Sequence, residues 1–145
     1  MSINVTSQTP ALLIAANFFA TISFGFGINA IVRPANGLSF FEFPTTKEEK
    51  AALAAKQESS VVNGMMAVYG VRDIFMGVAT YAAAYFSPAN DHRILGCMLI
   101  ATSLVAFADG AICVAYKTGA QWNHWGYAPV VGGIGAVLFG VLDPK

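Results

Sequence analysis

The sequence predicts an all-α integral membrane protein, a four-helix up-down bundle that forms one domain over residues 1–145. Three observations predict this fold. Hydrophobic residues make up 56% of the chain and charged residues only 11%, against roughly 25% charged residues in soluble domains. Four apolar stretches are about as long as the roughly 20 residues that a helix needs to cross a bilayer. Two of the three connections are short, which makes consecutive helices antiparallel neighbours.

The same composition excludes other classes of protein. Eight basic and eight acidic residues give a net charge of zero, so there is no basic excess for electrostatic binding of nucleic acid. A disordered chain would need low hydrophobicity and high charge. The two cysteines, Cys97 and Cys113, give no disulfide framework. We therefore expect membrane lipid and a small molecule as partners, and no nucleic acid.

The four apolar stretches define the predicted spans. A backbone in lipid must satisfy its own hydrogen bonds, so each span should be helical. No Lys or Arg precedes the first stretch, which therefore does not read as a cleaved signal peptide. The spans run from Pro10 to Val32, from Val61 to Phe86, from Ile94 to Tyr116 and from Trp122 to Leu142.

The long connection between the first two spans holds most of the charge. Thr45 and Thr46 precede Lys47-Glu48-Glu49, a pattern typical of a capped helix start. It predicts a short amphipathic helix that ends near Ser59. The aromatic segment from Phe40 to Pro44 is expected to dip into the membrane interface or to cover the bundle and close its interior.

Basic residues in the connections predict the orientation. Connections 1 and 3 hold five of them and the opposite side holds two. Connections 1 and 3 should therefore face the cytoplasm and both termini a lumen, with the endoplasmic reticulum as the expected membrane. The residues counted are Arg33, Lys47, Lys50, Lys56 and Lys117 on one side, and Arg93 and Lys145 on the other.

Three charged residues fall inside predicted spans. Arg72 and Asp73 lie at the centre of the second, and Asp109 lies in the third. Each such residue costs about 2.5–3.5 kcal/mol at the centre of a membrane helix. They therefore need partners inside the bundle.

Six further residues, at predicted depths from the mouth of the bundle to its deeper part, complete the predicted site. We expect them to line one interior surface with the charged residues and to contact a substrate. They are Asn17, Asn29, Asn63, Met66, Tyr69 and Tyr116. His124 is expected at the cytoplasmic mouth, within a Trp-rich segment typical of the membrane interface.

The charges suggest acid–base chemistry. Neighbours in a helix point about 100° apart, so Arg72 should reach Asp109 rather than Asp73. With two carboxyls beside one permanent cation, one carboxyl should hold a proton near neutral pH or share it with His124. Asp73 and Asp109 are then the predicted acid and base. Arg72 would orient a carboxylate or stabilise an oxyanion, and His124 would relay protons, with no cofactor and no metal.

Simpler interpretations remain open. An Arg–Asp pair inside a bundle can serve only to fix the register of the helices. The same carboxyls also suit a non-enzymatic binder or a proton-coupled carrier, or the chain is a structural membrane subunit. Gly132, Ala136 and Gly140 form a small-residue ridge typical of helix packing, through which a second protomer could pack.

Three sequence elements resemble a family of small four-span membrane proteins catalogued as domain of unknown function 4267. They are Tyr69-Gly70-Val71-Arg72-Asp73 followed by Gly77, then Ala108-Asp109-Gly110, and then His124-Trp125-Gly126. The resemblance covers nearly the whole chain. It implies a fungal source and a role on a lipophilic metabolite of secondary metabolism, and it assigns no catalytic residues. Together with the charges it favours an isomerase, cyclase or dehydratase.

Overall fold

The computed structural model of the chain describes residues 5–42, 60–88 and 91–144, and this part of the chain contains helices and no strand. The predicted amphipathic helix before Ser59 lies outside the described residues, as do Phe43 and Pro44. The helices are α1 (Pro10–Val32), α2 (Pro34–Ser39), α3 (Ser60–Phe86), α4 (Arg93–Ala115), α5 (Gln121–Trp125) and α6 (Ala128–Leu138).

The first three predicted spans correspond to α1, α3 and α4. Pro10 occupies the first turn of α1, where its missing N–H leaves no hydrogen bond unmade. Two of the described helices, α1 and α4, are long and apolar enough to cross a membrane. Helix α3 is longer, with 27 residues, but Arg72 and Asp73 interrupt its apolar character. Four membrane crossings are therefore not established by these helices alone.

The fourth predicted span is not one helix. Helix α5 ends at Trp125 and α6 begins at Ala128. Pro129 explains the break, because its ring clashes with the carbonyl four residues earlier, that of Trp125, and it has no N–H to donate. Helix α6 has 11 residues and is about 16 Å long, roughly half the thickness of the hydrocarbon core.

A second proline, Pro34, begins a short helix that the sequence did not predict. Residues before proline avoid the helical region, and α1 ends at Val32, before Arg33 and Pro34. Pro34 then occupies the first turn of α2. The chain therefore turns back at once, and α2 packs against α1 and α3.

The helices pack as two pairs. Helix α1 contacts α3 most extensively and α4 contacts α6. Glycines allow the backbones to touch: a Cβ on Gly27 would lie 2.5 Å from the Gly70 carbonyl oxygen, and one on Gly96 would lie 2.6 Å from that of Gly135. An apolar core that includes Leu95, Leu99 and Val131 joins the pairs at one end of the bundle.

Hydrogen bonds at each end of the helix bundle join segments that are far apart in the sequence. Asp143 accepts hydrogen bonds from the Ser7 backbone N–H at 2.8 Å and from the Ser7 hydroxyl at 2.6 Å. The segments that precede α1 and follow α6 therefore lie together. At the other end, the Asn123 side chain in α5 donates to the Phe40 carbonyl at 3.1 Å.

The predicted ridge for a second protomer is not a continuous helical surface. A Cβ on Gly132 would lie 2.7 Å from the Ser103 hydroxyl of α4, so Gly132 is used for packing inside the chain. Gly140 follows the end of α6 and has φ +98°, outside the helical region. Ala136 lies in α6 between these two residues, and the packing of a second protomer through them stays a prediction.

Candidate active site

A cavity of about 290 Å³ lies between the two helix pairs. Its volume is close to the lower limit for sites that bind small molecules. Apolar and aromatic side chains from α1, α3, α4 and α6 form most of its wall. They include Phe19, Ile22, Phe26, Met76, Val105 and Val131, and Phe40 lines it from the segment after α2.

Arg72 and Asp109 form a two-pronged ion pair at this cavity. Arg72 Nη1 lies 3.0 Å from Asp109 Oδ1, and Arg72 Nη2 lies 2.9 Å from Asp109 Oδ2. Both oxygens of the carboxylate are held, an arrangement that fixes its orientation as well as its position. The predicted contact between α3 and α4 through these two residues is confirmed.

The expectation that Arg72 would avoid Asp73 is wrong. Arg72 Nε and Nη2 lie 3.2 and 3.1 Å from the same oxygen, Asp73 Oδ1. The Cα–Cβ bonds of neighbouring residues do diverge, but the long arginine side chain lets the guanidinium fold between the two carboxylates. One cation therefore bridges both acids, whose side chains are only 7% and 9% exposed.

Tyr69 completes the cluster on α3. The guanidinium carbon of Arg72 lies 4.1 Å from the centre of the Tyr69 ring, a distance typical of a cation–π contact. Tyr69 precedes Arg72 by three residues, about one helical turn, so the helix itself sets this stacking.

His124 is buried, which corrects its predicted position at the mouth. Its side chain is 6% exposed, and its Nδ1 lies 4.0 Å from Asp109 Oδ2, too far for a hydrogen bond. Its Nε2 is buried and has no hydrogen-bond partner among the residues that the structure describes. The Phe41 ring lies 5.2 Å away, centre to centre, and covers the imidazole. Buried polar atoms without a partner are uncommon and often mark functional sites.

The break between α5 and α6 positions His124 and its neighbours. The Trp125 indole N–H donates to the Phe107 carbonyl of α4 at 3.0 Å. A Cβ on Gly110 would overlap that indole, so Gly110 is the residue that lets Trp125 lie against α4. With Trp125 fixed there, the preceding residue, His124, faces Asp109.

The structure brings together only some of the predicted site residues. Asp73, Asp109, Arg72, His124 and Tyr69 all line the cavity. Five of the predicted substrate contacts do not, namely Asn17, Asn29, Asn63, Met66 and Tyr116.

Each of these five side chains lies elsewhere. The amides of Asn17 and Asn29 donate to the Leu13 carbonyl and to Asn36. Met66 is buried against Gly37 of α2. Asn63 is exposed, and Tyr116 is 65% exposed.

Sequence reasoning missed several residues of the cavity wall. Tyr127 lies in the break between α5 and α6, and Pro129 was the signal that could have located it. Asn123 precedes His124 and reaches the cavity because α5 is a separate short helix. Ser23 adds a hydroxyl that no spacing pattern singled out. Among the described residues, no three His, Cys, Asp or Glu side chains lie close enough to hold a metal ion.

Residues 20–138 match the family described as a domain of unknown function, DUF4267. The chain belongs to this family. No curated protein matches the chain, and no solved structure does. The matched region includes every residue of the charged cluster and the Trp125–Gly110 contact that positions His124. What this DUF4267 protein does must therefore be argued from its own site.

Proposed function

We propose that this protein is a small integral membrane enzyme that performs acid–base chemistry, without a cofactor, on a lipophilic molecule. One observation carries the proposal: two buried carboxyls share a single arginine at the wall of an apolar cavity. Two acids in different surroundings are the arrangement from which enzymes obtain a proton donor and a proton acceptor. A purely structural pair would need only one acid.

The two carboxyls have different roles in this proposal. Asp109 offers both oxygens to Arg72, so it holds and orients the guanidinium. Asp73 offers one oxygen, which leaves its second oxygen to exchange a proton with a molecule in the cavity. Asp73 is therefore the proton carrier, and Arg72 orients both carboxylates. His124, beside Asp109, is the second proton-transfer group.

The reaction class follows from these groups. Asp73 in its acid form gives a proton to the substrate, and a second group of the cluster removes a proton from another substrate atom. The net result is an isomerisation or a cyclisation, or a dehydration if a hydroxyl leaves as water. Each is balanced by protons alone, and its product is an isomer of the substrate or lacks one water.

We place the protein in the membrane with four crossings, the fourth made by α5 and α6 together. Broken helices are tolerated at membrane depth when protein buries the break, and here Trp125 packs on α4. The contact of Ser7 with Asp143 agrees with an even number of crossings. The basic residues then favour cytoplasmic connections 1 and 3, lumenal termini and a location in the endoplasmic reticulum.

A metabolite comparison tests the proposal. A strain that lacks the gene should accumulate a lipophilic compound, which we expect to belong to fungal secondary metabolism. That compound is purified and incubated in D₂O with washed membranes that hold the protein, with no cofactor added. Conversion to an isomer that carries deuterium at carbon, or to a product that lacks one water, is expected. Conversion only after a nicotinamide or flavin cofactor is added would contradict the proposal.

A proton-coupled carrier is the second candidate, and the buried carboxyls favour it. The same Asp73 would release its proton when a ligand binds and take it up when the ligand leaves. Vesicles that contain the purified protein separate the two functions. A carrier moves an unaltered ligand across the membrane in response to a pH gradient, whereas the enzyme changes the ligand and needs no gradient.

A further inference from the structure

We propose that the cavity selects apolar molecules that carry one positive charge, either a permanent one such as an ammonium group or one that develops during the reaction. This inference names the substrate class of the proposed active site and therefore rests in part on the proposed function. It depends on three features of the cavity: its net charge, the state of Arg72 and its aromatic wall.

The charged cluster contains more acidic than basic side chains. Arg72 contributes one positive charge, and Asp73 and Asp109 contribute two negative ones when both are ionised, which leaves the cluster with a net charge of −1. An uncompensated charge in an apolar surrounding is costly and needs either a proton or another cation. A bound cation can supply that charge, and so can the positive charge that develops on a substrate when Asp73 gives it a proton.

Arg72 has little capacity left for an anionic ligand. Its guanidinium already donates four hydrogen bonds, two to each carboxylate, and has one further N–H to donate. A carboxylate or phosphate that entered the cavity would face two acids and an arginine that is already engaged. The site therefore disfavours anions, although it contains an arginine.

The wall of the cavity suits a cation on an apolar body. The aromatic residues that line it are Phe19, Phe26, Phe40, Tyr69 and Tyr127. Aromatic ring faces attract cations, most strongly where water is excluded. Tyr69 already stacks on the Arg72 guanidinium, which shows this kind of contact within the site.

The buried Nε2 of His124 is an independent sign of a missing partner. Within the described part of the chain it has no hydrogen-bond partner, and Asp109 lies on the Nδ1 side of the ring. If Nδ1 carries the proton toward Asp109, Nε2 is an acceptor. An acceptor is satisfied by a donor such as an ammonium N–H.

Three probes of similar size test the charge preference. Phenyltrimethylammonium is the cation, tert-butylbenzene is its neutral isostere, and benzenesulfonate is an anion. Binding to the purified full-length protein in lipid nanodiscs is measured by calorimetry and by thermal stabilisation. The cation should bind at least about tenfold more tightly than the hydrocarbon, and the sulfonate should bind more weakly than both.

Two matched variants assign the preference to the cavity. Asp73→Asn should reduce the affinity for the cation by at least about tenfold and leave that for the hydrocarbon unchanged. Asp91→Asn makes the same chemical change at an exposed carboxylate that accepts the Arg93 backbone N–H, and it should change neither. Equal binding of cation and hydrocarbon, or tighter binding of the sulfonate, overturns the inference.

The binding result can be separated from the proposed function. Cation selectivity without any chemical conversion would support the inference and contradict the enzyme. Conversion that depends on Asp73 together with equal binding of all three probes would support the enzyme and overturn the inference.

Discussion

Helix α3 presents two different faces to the rest of the protein. On the face toward α1, Gly70 and Gly77 let the backbones touch, and a Cβ on Gly70 would lie 2.6 Å from the Gly27 carbonyl oxygen. On the other face, Tyr69, Arg72 and Asp73 line a cavity of about 290 Å³. The same helix therefore packs to backbone contact on one side and leaves space beside its charges on the other.

This contrast shows that the cavity does not result from loose packing of the helices throughout the protein. Glycines let α1 and α3 pack in backbone contact, so small residues at the cavity could have let the helices close that space as well. The chain places large aromatic residues and buried charges around the cavity instead. Buried ion pairs contribute little net stability compared with apolar packing, so a function is the better explanation for keeping them.

The largest effect is expected on the charged face. Arg72→Leu removes the cation that bridges two carboxylates whose side chains are less than 10% exposed. Breaking a buried pair in this way costs about 3–5 kcal/mol. The free energy of unfolding, measured in detergent micelles, should fall by that amount.

Two further variants make this prediction specific. Arg72→Lys keeps the charge but cannot hold both carboxylates with a fork of donors, so its loss should be intermediate. Adding Asp109→Asn to Arg72→Leu should recover part of the loss, because one stranded charge is removed. If Arg72→Leu is as stable as the parent protein, the cluster is not buried as described.

A smaller effect is expected on the packed face. Gly27→Ala places a methyl group 2.5 Å from the Gly70 carbonyl oxygen, and backbone cannot move aside as a side chain can. Overpacking of this kind costs about 1–3 kcal/mol. Gly25→Ala is the control on the same helix, since a Cβ there meets nothing within 4 Å. Equal stability of the two variants would refute the close crossing.

The smallest effect is expected away from both faces, where Ser7 and Asp143 join the ends of the chain. The two hydrogen bonds from Ser7 lower the pKa of Asp143 below its usual value. A carboxyl with a lower pKa in the folded state adds stability above its unfolded pKa of about 3.9 and loses it as the pH falls through the folded value. The stability difference between the parent protein and Asp143→Asn should therefore shrink below about pH 4. A difference that does not change with pH would contradict this role of Ser7.

Much of the fold follows from the sequence because apolar runs define helices. The ends of α1, α3 and α4 agree with the predicted spans to within one residue. The prediction failed at two prolines. Pro34 starts α2 inside a segment predicted as a loop, and Pro129 divides the fourth predicted span, which was assigned by hydrophobicity alone.

The sequence predicted the charged cluster better than the other residues of the cavity wall. Topology placed Arg72 near Asp109, because α3 and α4 are joined by a short connection. Helical spacing could not show that the arginine side chain also folds onto Asp73. Spacing also failed for Asn29 and Met66, because a helix in a bundle has more than one protein-facing side and both residues lie toward α2. The burial of His124 depends on the break that the proline imposes.

The central claim is that Asp73 transfers a proton whereas Asp109 holds Arg72 in place. The same substitution made at each of the two residues tests this claim most directly. Asp73→Asn keeps an oxygen for Arg72, so we expect normal folded yield and a loss of conversion of at least about 100-fold. Asp109→Asn presents an amide NH₂ to the guanidinium, so we expect the folded yield to fall as well. His124→Gln should lose conversion without a fall in yield. Conversion is measured in membranes adjusted to equal amounts of folded protein. Full conversion by both Asp73→Asn and Asp109→Asn would contradict acid–base catalysis at this site.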